Sequence, residues 1–377
     1  MPRTANSLRP APASQSIPID ELTLFAQRVL QSFGVQAEEA FIVADSLVQA
    51  DARGIPSHGL TRLRTYCKRL ETGVVRSGVE PIILKESASS LLVDGQNGIG
   101  ISLADNVMRM CIDRSRASGS CFASVRRANH FGIGACYTLQ AAQAGMVGIA
   151  MSNAPASMVP TGGCKPMLGT NPLSIAIPAG RHTPFVLDMA TSEVAQGKVI
   201  LAAKEGRTTI PSTWAVDELG VATDDPVAAL RGAMKPFGGA KGYAIAFAID
   251  ILCSALSGAL SSSRIHSYWN DFENPQDLGF FLGAWNIESF LPLQEFQNRV
   301  DELLDEMKAS PPAPGTDEVL IPGEIEHRKL LYARAEGVRF SPAVLNDLAQ
   351  LGEECGVSFP FSPEFSESKS SKLVASA

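Results

Sequence analysis

Apolar residues in the first part of the chain recur at three- and four-residue steps, the spacing of one face of an α-helix. The first such stretch begins at Asp20, an N-cap type of residue, and ends at Gly34. A second predicted helix spans 37–52 and is ended by the turn sequence Gly54-Ile55-Pro56. A third starts near Ser57. The N-terminal region is therefore predicted to be helical.

From Ser89 onward, short apolar runs bounded by turn residues alternate with stretches of helical spacing, which predicts a mixed α and β region. Strands are predicted at 90–95, 121–125, 147–152, 173–178 and 185–190. Helices are predicted near 102–118, 134–145, 192–205, 242–260, 293–308 and 338–357.

The composition narrows the class of protein. The chain has 377 residues, of which 45% are hydrophobic and 19% charged, which fits two or three folded domains and excludes disorder over most of its length. Thirty-two Lys and Arg against 39 Asp and Glu give a net charge of −7 without a basic tract, which argues against nucleic-acid binding. The longest apolar segment, 243–260, is interrupted by Asp250 and rich in small residues, so no membrane span is predicted.

The cysteines indicate the compartment and argue against a structural metal. There are seven, widely spaced and without a C-x-x-C pair. Neither a disulfide framework nor a zinc site is indicated, and no metal site is predicted. A reducing interior suits these thiols, and we expect the protein in the cytoplasm.

The predicted third helix has two different faces at 100° per residue. Its apolar stripe consists of Leu60, Leu63, Cys67 and Leu70, and its polar side of His58, Arg62, Tyr66 and Arg69. An arginine can bind a carboxylate through two hydrogen bonds, and a histidine one turn away can exchange a hydroxyl proton. Ser57 would lie at the N-cap beside His58. The polar side therefore suits a carboxylate-bearing alcohol or ketone, although spacing alone leaves a merely solvated helix face as the alternative.

The glycine-rich segments do not form a Rossmann fingerprint. Residues 95–100 follow a predicted strand, but their order is G-x-x-G-x-G, and the next strand is followed by Arg126-Arg127 instead of an acidic residue. Three other turns, 159–172, 187–192 and 238–243, could bind an anionic cofactor through backbone N–H groups, with Lys241 adding charge. Each of them can equally be an ordinary turn.

Taken in order, these segments resemble the malate/L-lactate dehydrogenase family, which uses NAD(P) without a Rossmann fold and also includes ureidoglycolate, sulfolactate and cyclic-imine oxidoreductases. The resemblance covers roughly 18–360. It is carried by DARGIPSHGLTRL (51–63), NHFGIG (129–134), MSNAPASMVPTGG (151–163), LGTNPLSIAIP (168–178), LDMATSEVAQGK (187–198), GGAKGY (238–243), DILCSALSGA (250–259) and IPGE (321–324). Eight ordered blocks make chance similarity very improbable.

The resemblance implies roles for particular residues. His58, supported by Ser57, would handle the substrate proton, with His130 as an alternative base. Arg62 and Tyr66 would hold the substrate carboxylate, and Thr170 would lie near the substrate. The residues implied to approach NAD or NADP are His130, Phe131, Gly132, Ile133, Gly134, Asp188, Met189, Ala190, Lys241, Pro322, Gly323 and Glu324.

The resemblance also implies an α+β fold with a mainly antiparallel sheet, a helical N-terminal region, a helical C-terminal return, and pairing as a homodimer. With the patterns above, it divides the chain into five parts. They are a loose segment (1–18), a helical region with the substrate-binding helix (19–86), an α/β cofactor-binding domain (87–310), a segment returning to the N-terminal region (311–361) and a disordered tail (362–377).

Two features bear on the substrate. Cyclic-imine reductases of this family carry an acidic residue after the glycine that corresponds to Gly197, whereas this chain has Lys198. This favours interconversion of a small 2-hydroxy acid and its 2-oxo acid, with reduction of a cyclic imine such as piperideine-2-carboxylate as the alternative. The segment 262–290 is unusual for the family and is expected to reshape the pocket.

Overall fold

A computed structural model describes residues 16–360. Its α-helices are α1 (Ile19–Ser32), α2 (Ala37–Ala52), α3 (Leu63–Glu71), α4 (Gly100–Ser118), α5 (Ala135–Gln143), α6 (Gln196–Lys204), α7 (Pro226–Arg231), α8 (Ala240–Cys253), α9 (Leu293–Lys308), α10 (Glu324–Glu336) and α11 (Pro342–Cys355). Its strands are β1 (Ser16–Ile17), β2 (Ile82–Glu86), β3 (Ser90–Asp94), β4 (Ser120–Ala128), β5 (Met146–Ser152), β6 (Leu173–Ile177), β7 (Phe185–Met189), β8 (Ala215–Val216), β9 (Ala222–Thr223), β10 (Ala233–Met234), β11 (Leu278–Asn286) and β12 (Val338–Arg339).

The main sheet has seven strands in the order β2-β3-β4-β11-β5-β6-β7. Only β3 and β4 run parallel, and the other five neighbouring pairs are antiparallel. A Rossmann sheet, by contrast, is mostly parallel. The prediction of an α+β fold with a mainly antiparallel sheet is confirmed.

Helix α4 packs on the central strands of this sheet and forms the core of the middle region. Val107 and Met108 of α4 are fully buried, as are Val125 of β4 and Leu282 of β11. Because alternate residues of a strand point to the same face, Phe280 and Ala284 join Leu282 on the side of β11 that faces this core.

A separate core joins the two ends of the described chain. Leu22 of α1 and Leu47 of α2 belong to one apolar cluster with Leu348 of α11, and all three side chains are fully buried. The short pairing of β1 with β12 closes the same region. These contacts support the predicted return of the C-terminal segment to the N-terminal helices. The exact division of the chain into domains stays a prediction.

The third helix differs from its prediction. The chain forms two 3₁₀ turns, Pro56–His58 and Leu60–Arg62, and the α-helix begins only at Leu63. The break lies at Gly59, which is extended with φ −92° and ψ −151°. Helical spacing at 100° per residue is therefore wrong for His58 and Arg62.

Other boundaries also differ. Helix α1 begins at Ile19 with Pro18 at its N-cap, so Asp20 lies in the first turn and is not the cap. The helix predicted at 338–357 begins with strand β12 and becomes helical only at Pro342. The helix predicted at 242–260 ends at Cys253.

The predicted loose segment 1–18 lies outside the described residues except for its last three, of which Ser16 and Ile17 form β1. The predicted tail, 362–377, lies wholly outside them. Within residues 16–360, the helices are too short or too polar for any of them to cross a membrane.

Candidate active site

The two 3₁₀ turns bring Ser57, His58 and Arg62 together. The Ser57 hydroxyl lies 3.0 Å from Nδ1 of His58, and Nε of Arg62 donates to the carbonyl of Ser57 at 2.6 Å. A continuous helix would spend that carbonyl on its own ladder of hydrogen bonds. The broken geometry therefore ties Arg62 to the residue before the histidine.

Asp51, at the end of α2, contacts and stabilises the two 3₁₀ turns. Its Oδ2 accepts a hydrogen bond from the backbone N–H of Leu60 at 2.7 Å. The carboxyl group packs directly on Gly59, where a Cβ would lie 2.1 Å from Oδ1. Burial raises the pKa of Asp51 to about 7 against the opposing effect of the Leu60 hydrogen bond. No sequence pattern singled out Asp51, although it is the first residue of the block 51–63.

His130 comes from the turn after β4 and faces the same place. The hydroxyl of Tyr66 lies 2.7 Å from Nδ1 of His130, and the backbone N–H of Gly132 donates to that nitrogen at 3.4 Å. Because Nδ1 accepts, the hydrogen-bond network assigns the ring proton to Nε2. The rings of His58 and His130 stack with centroids 5.5 Å apart. The structure thus brings both candidate bases into one site.

Two aromatic residues that the sequence analysis did not assign complete this cluster. The guanidinium carbon of Arg62 lies 4.1 Å from the ring centroid of Trp269 and 5.2 Å from that of Tyr268. The Tyr268 ring also lies 4.9 Å from His130 and 5.9 Å from Tyr66. Both residues belong to the segment 262–290 that was expected to reshape the pocket.

The polar side predicted for the third helix is partly core. Tyr66 is 3% exposed and Arg69 is fully buried. Nη1 of Arg69 donates to the carbonyls of Tyr268 and Asp271 at 3.3 and 2.8 Å. Arg69 therefore holds the segment that carries the aromatic pair and is closed to a ligand from solvent.

The electrostatics of the site keep both imidazoles neutral. Burial, and then the charge of Arg62, lower the pKa of His58 to about 4. Burial also lowers the pKa of His130 well below its ordinary value, with Arg62, His58 and Arg69 adding to the effect. Within residues 16–360, no carboxylate forms a hydrogen bond or an ion pair with the Arg62 side chain. The cluster is therefore an electropositive site that suits an anion.

The glycine-rich turn after His130 lies against β7. Oδ2 of Asp188 accepts from the backbone N–H of Ala135 at 2.9 Å, and a Cβ on Gly134 would lie 3.2 Å from its Oδ1. Burial raises the pKa of Asp188 to about 6. The predicted cofactor residues Gly134 and Asp188 are thus neighbours, whereas the side chains of Phe131 and Ile133 are buried in apolar clusters and leave only backbone atoms for a ligand.

The turn Pro322-Gly323-Glu324, here called the PGE turn, lies against β7 as well. The carbonyl of Pro322 accepts from the N–H of Val186 at 3.0 Å, and Gly323, with φ +90°, leaves no room for a Cβ against Val186. Glu324 is held by Lys308 at 2.9 Å and by the N–H of Ile321 at 3.0 Å. These partners lower the pKa of Glu324 to about 2 despite its burial. Its carboxylate is already neutralised within the fold.

Met189 and Ala190 are also predicted cofactor residues. Met189 is the last residue of β7 and pairs with Leu173 of β6, and Ala190 directly follows the strand. Thr170 accepts through its carbonyl from the N–H and the hydroxyl of Thr191 at 2.8 and 3.0 Å. Its predicted contact with substrate stays a prediction.

Lys241 lies exposed in the first turn of α8. Gly238 and Gly239, which precede it, have φ +55° and +67°. Apart from their chain neighbours, no atom of residues 16–360 lies within 4 Å of where their Cβ atoms would be. In the described part of the chain, no hydrogen bond or ion pair links Thr170 or Lys241 to the histidine cluster. Residues 16–360 contain no cluster of three or more His, Cys, Asp or Glu that could hold a metal ion.

Comparisons with known proteins identify the family of this chain. Residues 17–349 match the malate/L-lactate dehydrogenase family. The L-sulfolactate dehydrogenase of Methanocaldococcus jannaschii is 39% identical over 87% of this chain and 94% of its own length. The malate dehydrogenase of Pyrococcus abyssi is 36% identical over 90% of this chain and 95% of its own. The chain belongs to the malate/L-lactate dehydrogenase family.

Solved structures show the same fold. The sulfolactate dehydrogenase from Methanocaldococcus jannaschii superposes with a TM-score of 0.86 at 37% identity, covering 92% of this chain and 98% of that one. The Δ1-piperideine-2-carboxylate reductase from Pseudomonas syringae pvar. tomato superposes with a TM-score of 0.81 at 28% identity, covering 90% of this chain and all of that one. Proteins with this fold are thus named for hydroxy acids and for a cyclic imine.

Proposed function

We propose that this chain is an NAD(P)-dependent oxidoreductase that interconverts a small 2-hydroxy acid and its 2-oxo acid by hydride transfer. Membership of the malate/L-lactate dehydrogenase family supports the reaction type. The observation that carries the proposal is the setting of Arg62. Its guanidinium has no carboxylate partner in the described chain and is hydrogen-bonded to the residue next to His58.

We assign a separate role to each of the side chains of Arg62, His58 and His130. Arg62 binds the substrate carboxylate and fixes the orientation of C2. When Nδ1–H of His58 donates to the Ser57 hydroxyl, Nε2 keeps a lone pair that can take the proton of the substrate hydroxyl. Nε2–H of His130 is a second donor toward the same region. Nicotinamide, when bound, supplies the acceptor for the hydride from C2 in oxidation and its donor in reduction.

The substrate itself adjusts the acidity of His58. Arg62 is one of the two causes that lower the pKa of this imidazole. A carboxylate bound to Arg62 offsets that charge, so the pKa of His58 rises when substrate binds. The histidine is thus neutral and ready to accept a proton before oxidation, and it holds the accepted proton more readily in the complex.

Several residues fit a dinucleotide cofactor. The open Gly238-Gly239 turn at the start of α8, with the exposed ammonium of Lys241, suits the phosphates. The turn of residues 130–134, Asp188, Met189, Ala190 and the PGE turn at 322–324 would lie along the remainder. We propose these residues as the NAD or NADP site.

The substrate we favour is a short dianion such as oxaloacetate or sulfopyruvate in the reducing direction. The dehydrogenases of Methanocaldococcus jannaschii and Pyrococcus abyssi named above support this choice, as does the electropositive cluster around Arg62. The second candidate is a cyclic imine acid, which the fold of the piperideine-2-carboxylate reductase favours and Lys198 disfavours.

The test follows the loss of nicotinamide absorbance when purified protein meets NADH or NADPH with oxaloacetate, pyruvate, sulfopyruvate or piperideine-2-carboxylate. Turnover of a 2-oxo acid is the expected result and also identifies the preferred cofactor. Turnover of the imine alone would establish the second candidate. Loss of absorbance with none of the four would reject both.

We further propose that the chain forms a homodimer through the outer face of α8. This helix is apolar on both sides, and Ile245, Phe247 and Ile251 are 39%, 45% and 47% exposed. Light scattering should give about twice the chain mass, and Phe247→Asp combined with Ile251→Asp should halve it while the circular dichroism stays unchanged. A wild-type monomer at micromolar concentration would reject the proposal.

The cytoplasm is the location we propose. All seven cysteines are free, and four of them are buried. Free thiols are typical of a reducing compartment. Fractionation of cells that express the tagged chain should recover it with the cytosol, and recovery in a secreted fraction would contradict the proposal.

A further inference from the structure

Residues 266–274, here called the aromatic loop, are held rigidly beside the candidate active site. The buried guanidinium of Arg69 donates to the carbonyls of Tyr268 and Asp271 in this loop. Within the loop, the hydroxyl of Ser267 accepts from the N–H groups of Trp269 and Asn270 at 3.2 Å, and the carboxylate of Asp271 lies 2.8 Å from Nδ1 of His266. A loop tied in this way can present a side chain at a fixed position.

The side chains it presents are Tyr268 and Trp269, which pack edge to face with ring centroids 5.0 Å apart. Tyr268 is 5% exposed and fixed by the core, whereas Trp269 is 53% exposed. The indole therefore contributes little to the core. The guanidinium carbon of Arg62 lies 4.1 Å from the indole centroid.

Within residues 16–360, one hydrogen bond of ordinary geometry holds the Arg62 side chain, from Nε to the carbonyl of Ser57. The Tyr268 hydroxyl lies beside the guanidinium and contributes to its electrostatics, but it makes no hydrogen bond of ordinary geometry in these residues. A carboxylate placed here would fix the guanidinium by hydrogen bonds but would also occupy the donors that a substrate needs. An aromatic face attracts the cation without taking those donors.

We propose that Trp269 and Tyr268 are positioning residues for Arg62, and that they set the affinity of the enzyme for the carboxylate of its substrate. They hold the guanidinium plane while both Nη groups stay free for the two carboxylate oxygens. The inference rests on the proposed function, since it deepens the role given there to Arg62. The aromatic loop thereby becomes a determinant of substrate affinity although neither ring acts on the reacting atoms.

The test compares Trp269→Leu with Trp269→Phe, because only the second keeps an aromatic face. Trp285→Leu is the matched control, since this indole packs on Phe122 at 5.1 Å, outside the cluster. For Trp269→Leu we expect the KM of the 2-oxo acid to rise about 3- to 20-fold, the loss of a cation–π contact. The kcat should change less than about twofold, as for lost uniform binding. Trp269→Phe should recover most of the KM, and Trp285→Leu should leave it unchanged.

A KM for Trp269→Leu equal to that of the wild type would overturn the inference. So would equal increases in the leucine and phenylalanine variants, because an aromatic face would then be irrelevant. A wild type that reduces no 2-oxo acid would reject the proposed function instead. In that case the affinity for malonate, a non-reacting dicarboxylate, measured by calorimetry with NADH or NADPH present, still decides. Weaker malonate binding in the leucine variant alone supports the inference, and equal binding in all variants refutes it.

Discussion

Replacement of Asp51 by asparagine should stabilise the protein increasingly as the pH rises. Asp51 is 8% exposed, and its carboxylate accepts one hydrogen bond from Leu60. Within residues 16–360, its Oδ1 has no hydrogen-bond partner. The amide in Asp51→Asn keeps an oxygen for Leu60 but never ionises. The variant therefore removes the cost of a buried charge while it preserves the support of the turn that carries His58.

The magnitude follows from the two pKa values. In the unfolded chain the pKa of an aspartate is the ordinary 3.8, whereas burial raises that of folded Asp51 to about 7. Between these values the folded state keeps a proton that the unfolded state releases, so the wild type loses up to about 1.4 kcal/mol of stability per pH unit. Folded Asp51 is half ionised at pH 7, so the slope falls off there, and from pH 5 to pH 7 the difference between variant and wild type should grow by about 2 kcal/mol.

The assay is thermal unfolding of both proteins at pH 5, 6 and 7. Because a chain of this length unfolds with roughly 2.1 cal/mol/K of entropy per residue, about 2 kcal/mol corresponds to a shift in Tm of about 3 °C. We expect the Tm of Asp51→Asn, relative to the wild type, to rise by up to this amount between pH 5 and pH 7. A Tm difference that stays constant over this range, whatever its size, would show that folded Asp51 does not have a raised pKa.

Asp301→Asn is the matched control. Asp301 is 2% exposed, but the backbone N–H groups of Gly180, Arg181 and His182 donate to it. Burial would raise its pKa, yet these hydrogen bonds outweigh burial and lower it. Folded and unfolded Asp301 are then both ionised above pH 5. The control should be less stable than the wild type by an amount that does not change between pH 5 and pH 7.

Four further outcomes are expected at the site itself. His58→Ala should lower kcat by about 10²–10⁴ through loss of a general base, while calorimetry shows unchanged NAD(P)H affinity; an unchanged kcat would remove His58 from the mechanism. In the enzyme without substrate, the pKa of His58 is about 4. The kcat/KM for oxidation of the hydroxy acid should therefore stay constant between pH 8 and pH 6, whereas a base with the ordinary pKa of histidine would make it fall. Arg62→Lys should chiefly raise the KM of the carboxylate substrate, because an ammonium lacks the bidentate fork, and an identical KM would show that Arg62 does not bind it. Lys241→Ala should raise the KM of the cofactor and leave that of the substrate unchanged, and the reverse pattern would move Lys241 out of the cofactor site.

Much of the fold could be predicted from hydrophobic spacing, and the exceptions have physical causes. Helices α1, α2 and α9 bury one regular face, so their spacing shows in the sequence. Strand β11 was not predicted, although it lies at the centre of the sheet. It is apolar on both faces, because it is covered from both sides, and such a run lacks the alternation that marks a half-exposed strand.

The site was predicted in composition but not in geometry. The residue types around His58 suggested carboxylate chemistry, yet a regular helix was assumed where Gly59 breaks the chain. That break depends on the carboxyl of Asp51, a contact between residues of two different elements. The packing of Trp269 on Arg62 joins residues that lie far apart in the chain, and no local pattern can indicate such a contact.

Isotope transfer is the direct test of hydride transfer to C2 of a 2-oxo acid. The protein is incubated with oxaloacetate or sulfopyruvate and with NADH or NADPH that carries deuterium on both positions of C4, and the product is analysed by mass spectrometry. Hydride transfer to C2 should give a 2-hydroxy acid with one deuterium bound to C2 and none elsewhere. A hydroxy acid without deuterium, or no hydroxy acid from either substrate with either cofactor, would contradict it.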